Sequence, residues 1–313
     1  MDPGPLKKIL LSLRKYSKKN IEFTIEANPE SLTEEKIALF LDEGVNRISI
    51  GVQSFDSSKL KRLGRLHDGP SAARAVMKAK DAGFKNISID LIFGAWGDSL
   101  SAWKNDLKEA VDLPITHISC YGLTYEPGTP IKECVKNGSI IPLEDEKSAD
   151  MYSLAISYLA DKGFGQYEIS SFSKPGFSCK HNYAYWNNNP YTGLGPSAVS
   201  YNDGARRENI PNVADYIDKV RSGLQPAGFS EKLLPVERAK ETAAVKIRTM
   251  EGIGFDWFKE KTDFALPDLE RKVLPRLIED GLIEEIRPGS EVEGVRLTRK
   301  GILFCDTVSS AFL

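Results

Sequence analysis

Three polar side chains fall in phase on three separate stretches of alternating hydrophobicity: Glu26 in "IEFTIEANP", Gln53 in "RISIGVQSF" and Asp90 in "NISIDLIFG". In each stretch isoleucine, leucine, valine or phenylalanine occupies every second position, which reads as a strand with two unlike faces. Each of the three polar residues stands near the C-terminal end of its strand, on the polar or small face. That is the end at which βα-barrels carry their chemistry, so the pattern predicts a polar binding cavity, with water-filled packing as the competing reading. Arg65, in "RLGRLHDG", falls in the loop or early helix after the second strand. It suits bidentate capture of a carboxylate, and equally a solvated surface position. A fourth candidate lies far along the chain, in "KHNYAYW" at residues 180–186. It reads as a loop-like stretch between turn residues. His181 there reads as a ligand or, the more common case for a histidine beside aromatics, as a packed and hydrogen-bonded residue.

Positioning these groups requires strands and helices in alternation. A fourth strand, "THISCYGLTYE", begins at Thr116, and helices are predicted in "SLTEEKIALFLDEG", "GPSAARAVMKAKDAG" and "SLSAWKNDLKEAVDL". The first of these carries a capping-box pattern from Ser31 to Glu34 and ends at Gly44. Strand–helix–strand at this spacing implies a parallel sheet. A doubly wound sheet covered on both faces would make its strands apolar throughout; the polar face favours a barrel whose interior holds a ligand. The opening residues read as an amphipathic helix with Leu6, Ile9, Leu10 and Leu13 on one side.

The chain of 313 residues, 41% hydrophobic, is long enough for one large domain and a smaller one. A net charge of −2 argues against binding nucleic acid or an anionic membrane through electrostatics. No apolar run approaches a membrane span and no signal-peptide core precedes the first helix, which implies a cytoplasmic protein with reduced thiols. The four cysteines, Cys120, Cys134, Cys179 and Cys305, are scattered and imply no metal site built from neighbouring residues.

Taken in order, "FTIEANPESLT", "GVNRISIGVQSFD", "LGRLH", "AGFKNISIDLIFG", "HISCYGLTYEPGTP", "YEISSFSKPGFSCKHNYAYW" and "YTGLGPSAVSY" resemble the radical S-adenosylmethionine (SAM) proteins of the oxygen-independent coproporphyrinogen III oxidase group. The likeness is closest to the heme-chaperone branch, HemW, and covers nearly the whole chain. It implies an α/β fold, a partial radical SAM (β/α)6-type barrel followed by a winged-helix-like α+β domain. It also implies that Glu26, Gln53, Arg65 and Asp90 contact S-adenosylmethionine, and that His181, Asn182, Tyr185 and Trp186 surround heme, with His181 on its iron. The cofactors implied are S-adenosylmethionine, heme and, in the full-length family form, a [4Fe–4S] cluster. The partners implied are heme and heme-acceptor proteins, with neither nucleic acid nor a membrane span and with membrane-surface contact left open.

Two family features are missing from this sequence. The family's "CxxxCxxC" cluster motif and its "GGGTP" loop have no counterpart, and "GAWGDS" stands where the family has a proline turn. The expectation is therefore a fragment of a longer protein. Radical chemistry is not expected of this polypeptide alone, and its strand over 21–26 becomes an exposed edge. The functional expectation is heme binding and delivery. The alternatives are an oxidase acting on coproporphyrinogen III in porphyrin biosynthesis, or a non-catalytic fragment.

"GLGPSA" at Gly193–Ala198 reads as a turn, since no strand precedes it. The expected division is a barrel with its heme motif over 1–201, a linker region over 202–235 and a winged-helix-like domain over 236–313. In that last domain Glu284, Glu285, Glu291 and Glu293 offset Arg287, Arg296, Arg299 and Lys300, which favours an interaction or lid role over DNA binding.

Overall fold

In the computed structural model, residues 1–16 and 21–313 are described, and they divide into two compact units, Met1–Ser178 and Cys179–Leu313. The first unit carries strands β1 (Thr24–Ala27), β2 (Arg47–Gln53), β3 (Asn86–Phe93), β4 (His117–Gly122), β5 (Gly165–Gln166) and β6 (Ser171–Ser173). Its helices are α1 (Pro3–Arg14), α2 (Glu34–Asp42), α3 (Ser57–Arg62), α4 (Gly69–Asp81), α5 (Leu100–Asp112), α6 (Pro130–Lys136) and α7 (Asp145–Asp161). The strands form one sheet in the order β1-β2-β3-β4-β6-β5. β1 to β4 run parallel, as strand–helix alternation predicts, and β6 and β5 add antiparallel.

Register explains why the alternation was so regular. Ile50, Ile89 and Ile118 pair in one row with Phe172, and all four are fully buried. Side chains of that row lie on the face that α4, α5 and α7 cover. Burial of each such side chain is worth roughly 1.5–3 kcal/mol. Glu26, Ser49, Ser88 and His117 form the adjacent row on the opposite face.

Several local expectations change. α2 is capped by Thr33, whose Oγ1 accepts from Lys36 N at 3.3 Å, rather than by Ser31. The Ser31 hydroxyl is already committed to Asn28 O at 3.0 Å inside a short 3-10 turn, Pro29–Ser31. In α1, Leu10 is buried, whereas Ile9 and Leu13 are exposed, so the apolar stripe is only partly used.

The second unit begins with α8 (Lys180–Trp186), so the stretch expected as a loop is helical. The turn residues lie just outside it: Gly176 has φ +83° before, and Asn188 has φ +46° after. Residues 202–235 are built into this unit. β7 (Val199–Asn202), β8 (Ala205–Asn209) and β9 (Ala227–Lys232) form an antiparallel sheet, with α9 (Val213–Arg221) connecting the last two. The first of the two compact units ends at Ser178, before the boundary expected at 201, because the sheet pairs segments on both sides of that point. "GLGPSA" is a turn, with its bend at Gly195–Ser197.

The remainder combines helices with a small sheet. α10 (Pro235–Lys246), β10 (Ile253–Gly254), α11 (Phe255–Thr262), α12 (Leu266–Leu269) and α13 (Val273–Glu279) precede β11 (Ile283–Ile286) and β12 (Gly294–Leu297). α14 (Arg299–Leu303) and α15 (Cys305–Ala311) close the chain. The sheet order is β10-β12-β11, so the predicted hairpin gains a third strand from the two-residue β10. Arg296 pairs with Glu284 across the hairpin and Arg287 with Glu285 at the end of β11, which is where several of the balanced charges of the sequence are spent.

Candidate functional sites

In the first unit the polar face of the sheet converges on Asp90. Ser49 Oγ donates to Asp90 Oδ2 at 3.4 Å, and burial pushes the Asp90 carboxyl up to about 6. The hydroxyl of Ser119 opposes that rise, the neighbouring Glu26 carboxylate adds to it, and Arg47 counters it. Glu26 itself is exposed in β1 and pairs in register with Ser49. Beside them His117 is buried between Ser88 Oγ and Tyr167 Oη, each 2.8 Å from a ring nitrogen. Burial and Arg47 hold its imidazole down at about 3, so it is neutral and structural at ordinary pH. Burial and Asp90 push the Tyr121 phenol up to about 12.

Gln53 ends β2 with φ +66°, a left-handed backbone that a glutamine seldom adopts, at a register shift against β3. The reason is visible at Gly51, where a Cβ would lie 2.8 Å from Gln53 Nε2 and 3.2 Å from Asn28 Oδ1. The glycine leaves the space into which both amides lean. Arg65 follows α3 in the loop rather than in a helix, half-buried, with its Nε enclosed and unbonded among the described residues. The geometry thus brings Glu26, Ser49 and Asp90 together and sets Gln53 over Gly51. No hydrogen bond among the described residues joins Arg65 to them.

The loops that carry these residues are held by groups sequence reasoning did not single out. Asp106 of α5 accepts from Ser54 Oγ at 2.8 and 2.9 Å and from Phe55 N at 2.7 Å, pinning the chain just after Gln53. Lys59, buried, bridges Asp106 at 3.5 Å and Asp98 at 2.8 Å, and Asp98 also accepts from Arg62 and from Ala95 N. One buried cluster therefore fastens the loops after β2 and β3. His67 does the same for the first two loops, with Nδ1 3.1 Å from Glu30 Oε2 and Nε2 2.9 Å from Val52 O. The substituted "GAWGDS" segment forms a tight turn through Asp98 N to Ala95 O, with Gly94 and Gly97 at positive φ. Asp98, unremarkable in sequence, is the residue that turn delivers to the cluster.

In the second unit α8 presents His181 and Tyr185 one turn apart on one side. Both are exposed, and their rings meet edge-on with centroids 4.7 Å apart. Tyr185 meets Tyr191 at 4.5 Å, and Tyr191 stacks on buried Tyr201 at 6.0 Å. Trp186 faces elsewhere, with the Arg248 guanidinium 5.3 Å over its ring and its Nε1 enclosed with no hydrogen-bond partner among the described residues. The helix is fixed to α10 from its C-terminal end: Lys246 Nζ donates to Asn187 Oδ1 at 2.8 Å, and Asn188 Nδ2 to Thr242 Oγ1 at 3.0 Å. Asn182 is half-buried on α8.

A parallel βα sheet with acidic and amide groups at the C-terminal strand ends is the architecture of the radical SAM class, and residues 2–110 match the Radical SAM superfamily model. The chain is 35% identical over 292 residues to the heme chaperone HemW of Bacillus subtilis, covering 93% of this chain and 76% of that protein. It is 32% identical to HemW of Lactococcus lactis over 93% and 75% of the respective chains. The structure of the Escherichia coli coproporphyrinogen III oxidase HemN superposes with a TM-score of 0.82 at 18% identity, over 100% of this chain and 74% of that one. The chain belongs to the HemN/HemW-like family of radical SAM proteins.

The family implies S-adenosylmethionine and a [4Fe–4S] cluster. An orphaned Arg65 Nε, the Gly51 cradle and the paired carboxylates fit a polar zwitterionic ligand. The thiols do not fit the cluster: burial drives the Cys120 thiol upward, away from the thiolate a metal needs, and no three metal-ligating side chains gather among the described residues. Among those residues no helix is long and apolar enough to cross a membrane.

Proposed function

We propose that this chain is a HemW-like heme-binding protein that takes heme on α8, with His181 as the axial ligand, and passes it to an acceptor protein. One observation carries the reading: in a chain of this family, the imidazole of "HNYAYW" belongs to an exposed residue, His181, and its ring stands beside Tyr185 on one face of a helix fixed at its C-terminal end. An exposed imidazole reaches iron without first breaking out of a core, and the neighbouring ring offers a flat apolar surface to a macrocycle. Asn182 and Tyr185 join His181 at the heme in this reading, with Trp186 of the same motif seating their helix. The first unit would hold S-adenosylmethionine. Glu26 and Asp90 accept from its hydroxyl and ammonium groups, Arg65 meets its carboxylate, and Gln53 bonds from the turn after β2. A [4Fe–4S] cluster supplies an electron to S-adenosylmethionine in such proteins; the residues here support binding of the latter only. The reading takes the protein to act in the cytoplasm without nucleic acid. The likeness to HemN is one of fold and does not carry an oxidase reading.

Hemin titration followed at the Soret band tests the proposal. The wild-type chain should saturate at one heme, and His181→Ala should shift the bound spectrum and weaken binding about tenfold or more. Equal affinity and an identical spectrum in the variant would remove His181 from the iron.

A further inference from the structure

The heme motif supplies four residues, but its helix cannot aim all of them at one ligand. His181 and Tyr185 share a side of α8, while Trp186 is turned under Arg248 with its indole N–H enclosed. The aromatic surface that starts at His181 continues instead outside the motif, through Tyr185 to Tyr191, with 4.5 Å between the two tyrosine centroids. We infer that Tyr191 is a porphyrin-contacting residue, and that Trp186 acts as a positioning residue that seats α8. This rests on the heme reading above and adds to it which rings touch the macrocycle.

Three features place Tyr191 in that role. Its backbone is locked, since its N–H and C=O both pair with Tyr201 at 2.9 Å, so its ring direction is set by the sheet rather than by the ligand. Buried Tyr201 backs it at 6.0 Å and Tyr185 flanks it at 4.5 Å, while Tyr191 itself stays partly exposed. Tyr191 also lines a cleft of about 470 Å³ with Thr192, Ser200 and Arg207, which carries open surface beyond His181 and Tyr185, neither of which borders it. A flat aromatic wall held in advance costs little to order on binding, and an aromatic contact adds to what its buried area contributes.

Hemin titrations of the wild type, His181→Ala, Tyr191→Phe and Tyr191→Leu test this. Tyr191→Leu should weaken heme binding about three- to tenfold while leaving the Soret maximum of the bound form in place. Tyr191→Phe, which keeps the ring, should bind within about twofold of wild type. That rescue is one a general loss of structure would not show. If Tyr191→Leu binds as tightly as wild type, the inference is overturned while the His181 reading stands. Should His181→Ala behave as wild type, or the wild type take up no heme, the heme reading itself falls. If Tyr191→Leu does not fold, the wild-type chain labelled with 3-fluorotyrosine is titrated with zinc protoporphyrin. The Tyr191 resonance, assigned by its loss in Tyr191→Phe, should move by ring current; a stationary resonance overturns the inference.

Discussion

The polar face of the first unit and the aromatic side of α8 in the second are built on opposite principles. Around Asp90 most of the candidate groups grow from strand ends, and the loops beside them are held by a buried charge cluster. On α8 the candidate groups are exposed on a short helix, and the helix rather than the side chains is fastened. Changes in the first region should therefore read out as stability, and changes in the second as ligand affinity.

The largest expected effect breaks the first kind of construction. Lys59→Met leaves Asp106 buried with no cation, and should cost about 3–5 kcal/mol in chemical denaturation of the first unit. A loss under about 1 kcal/mol would mean the cluster is not what holds the loops. Next comes Gly69→Ala, where a Cβ would sit 2.0 Å from Phe55 O. The enforced shift should cost about 1–3 kcal/mol, and it acts on the same loop that follows Gln53.

Acid sharpens the contrast. His117 is neutral when folded, its value depressed to about 3, so its contribution is lost as pH falls from the unfolded value near 6.5 towards 3. Asp90 acts the other way. Its folded value is raised to about 6, so protonation between 6 and 3.8 favours the folded state. The Asp90→Asn variant should therefore be the more stable near pH 7, by about 2–3 kcal/mol, and lose stability more steeply than wild type between pH 6 and 4. Parallel stability curves for the two proteins would contradict the burial of that carboxyl. The smallest effect belongs to the second unit: Arg248→Ala removes the cation over Trp186 and should cost about 1 kcal/mol in its unfolding, with heme affinity changed less than by His181→Ala.

How much could be read in the sequence follows the same divide. The polar face was legible because strand alternation has a period of two and the register keeps it in phase from β1 to β4. The parallel order was legible for the same local reason. Lys59 and Asp106 were not, since 47 residues separate them and only the packing of α5 brings them together. The left-handed backbone of Gln53 leaves no trace in its own identity; the nearby signal is Gly51. "SLTEEK" holds two possible caps, and the choice of Thr33 over Ser31 is made by Asn28 O. α8 looked like a loop because turn residues flank it. Its tie to α10, through Asn188 and residues 53 and 54 positions further on, is not readable from the local sequence.

The central claim is that an exposed imidazole on α8 ligates heme iron. Electron paramagnetic resonance of the ferric heme complex, wild type against His181→Ala, tests it most directly. The account predicts a histidine-ligated signal in the wild type that is lost or replaced in the variant. The same signal in both would contradict it.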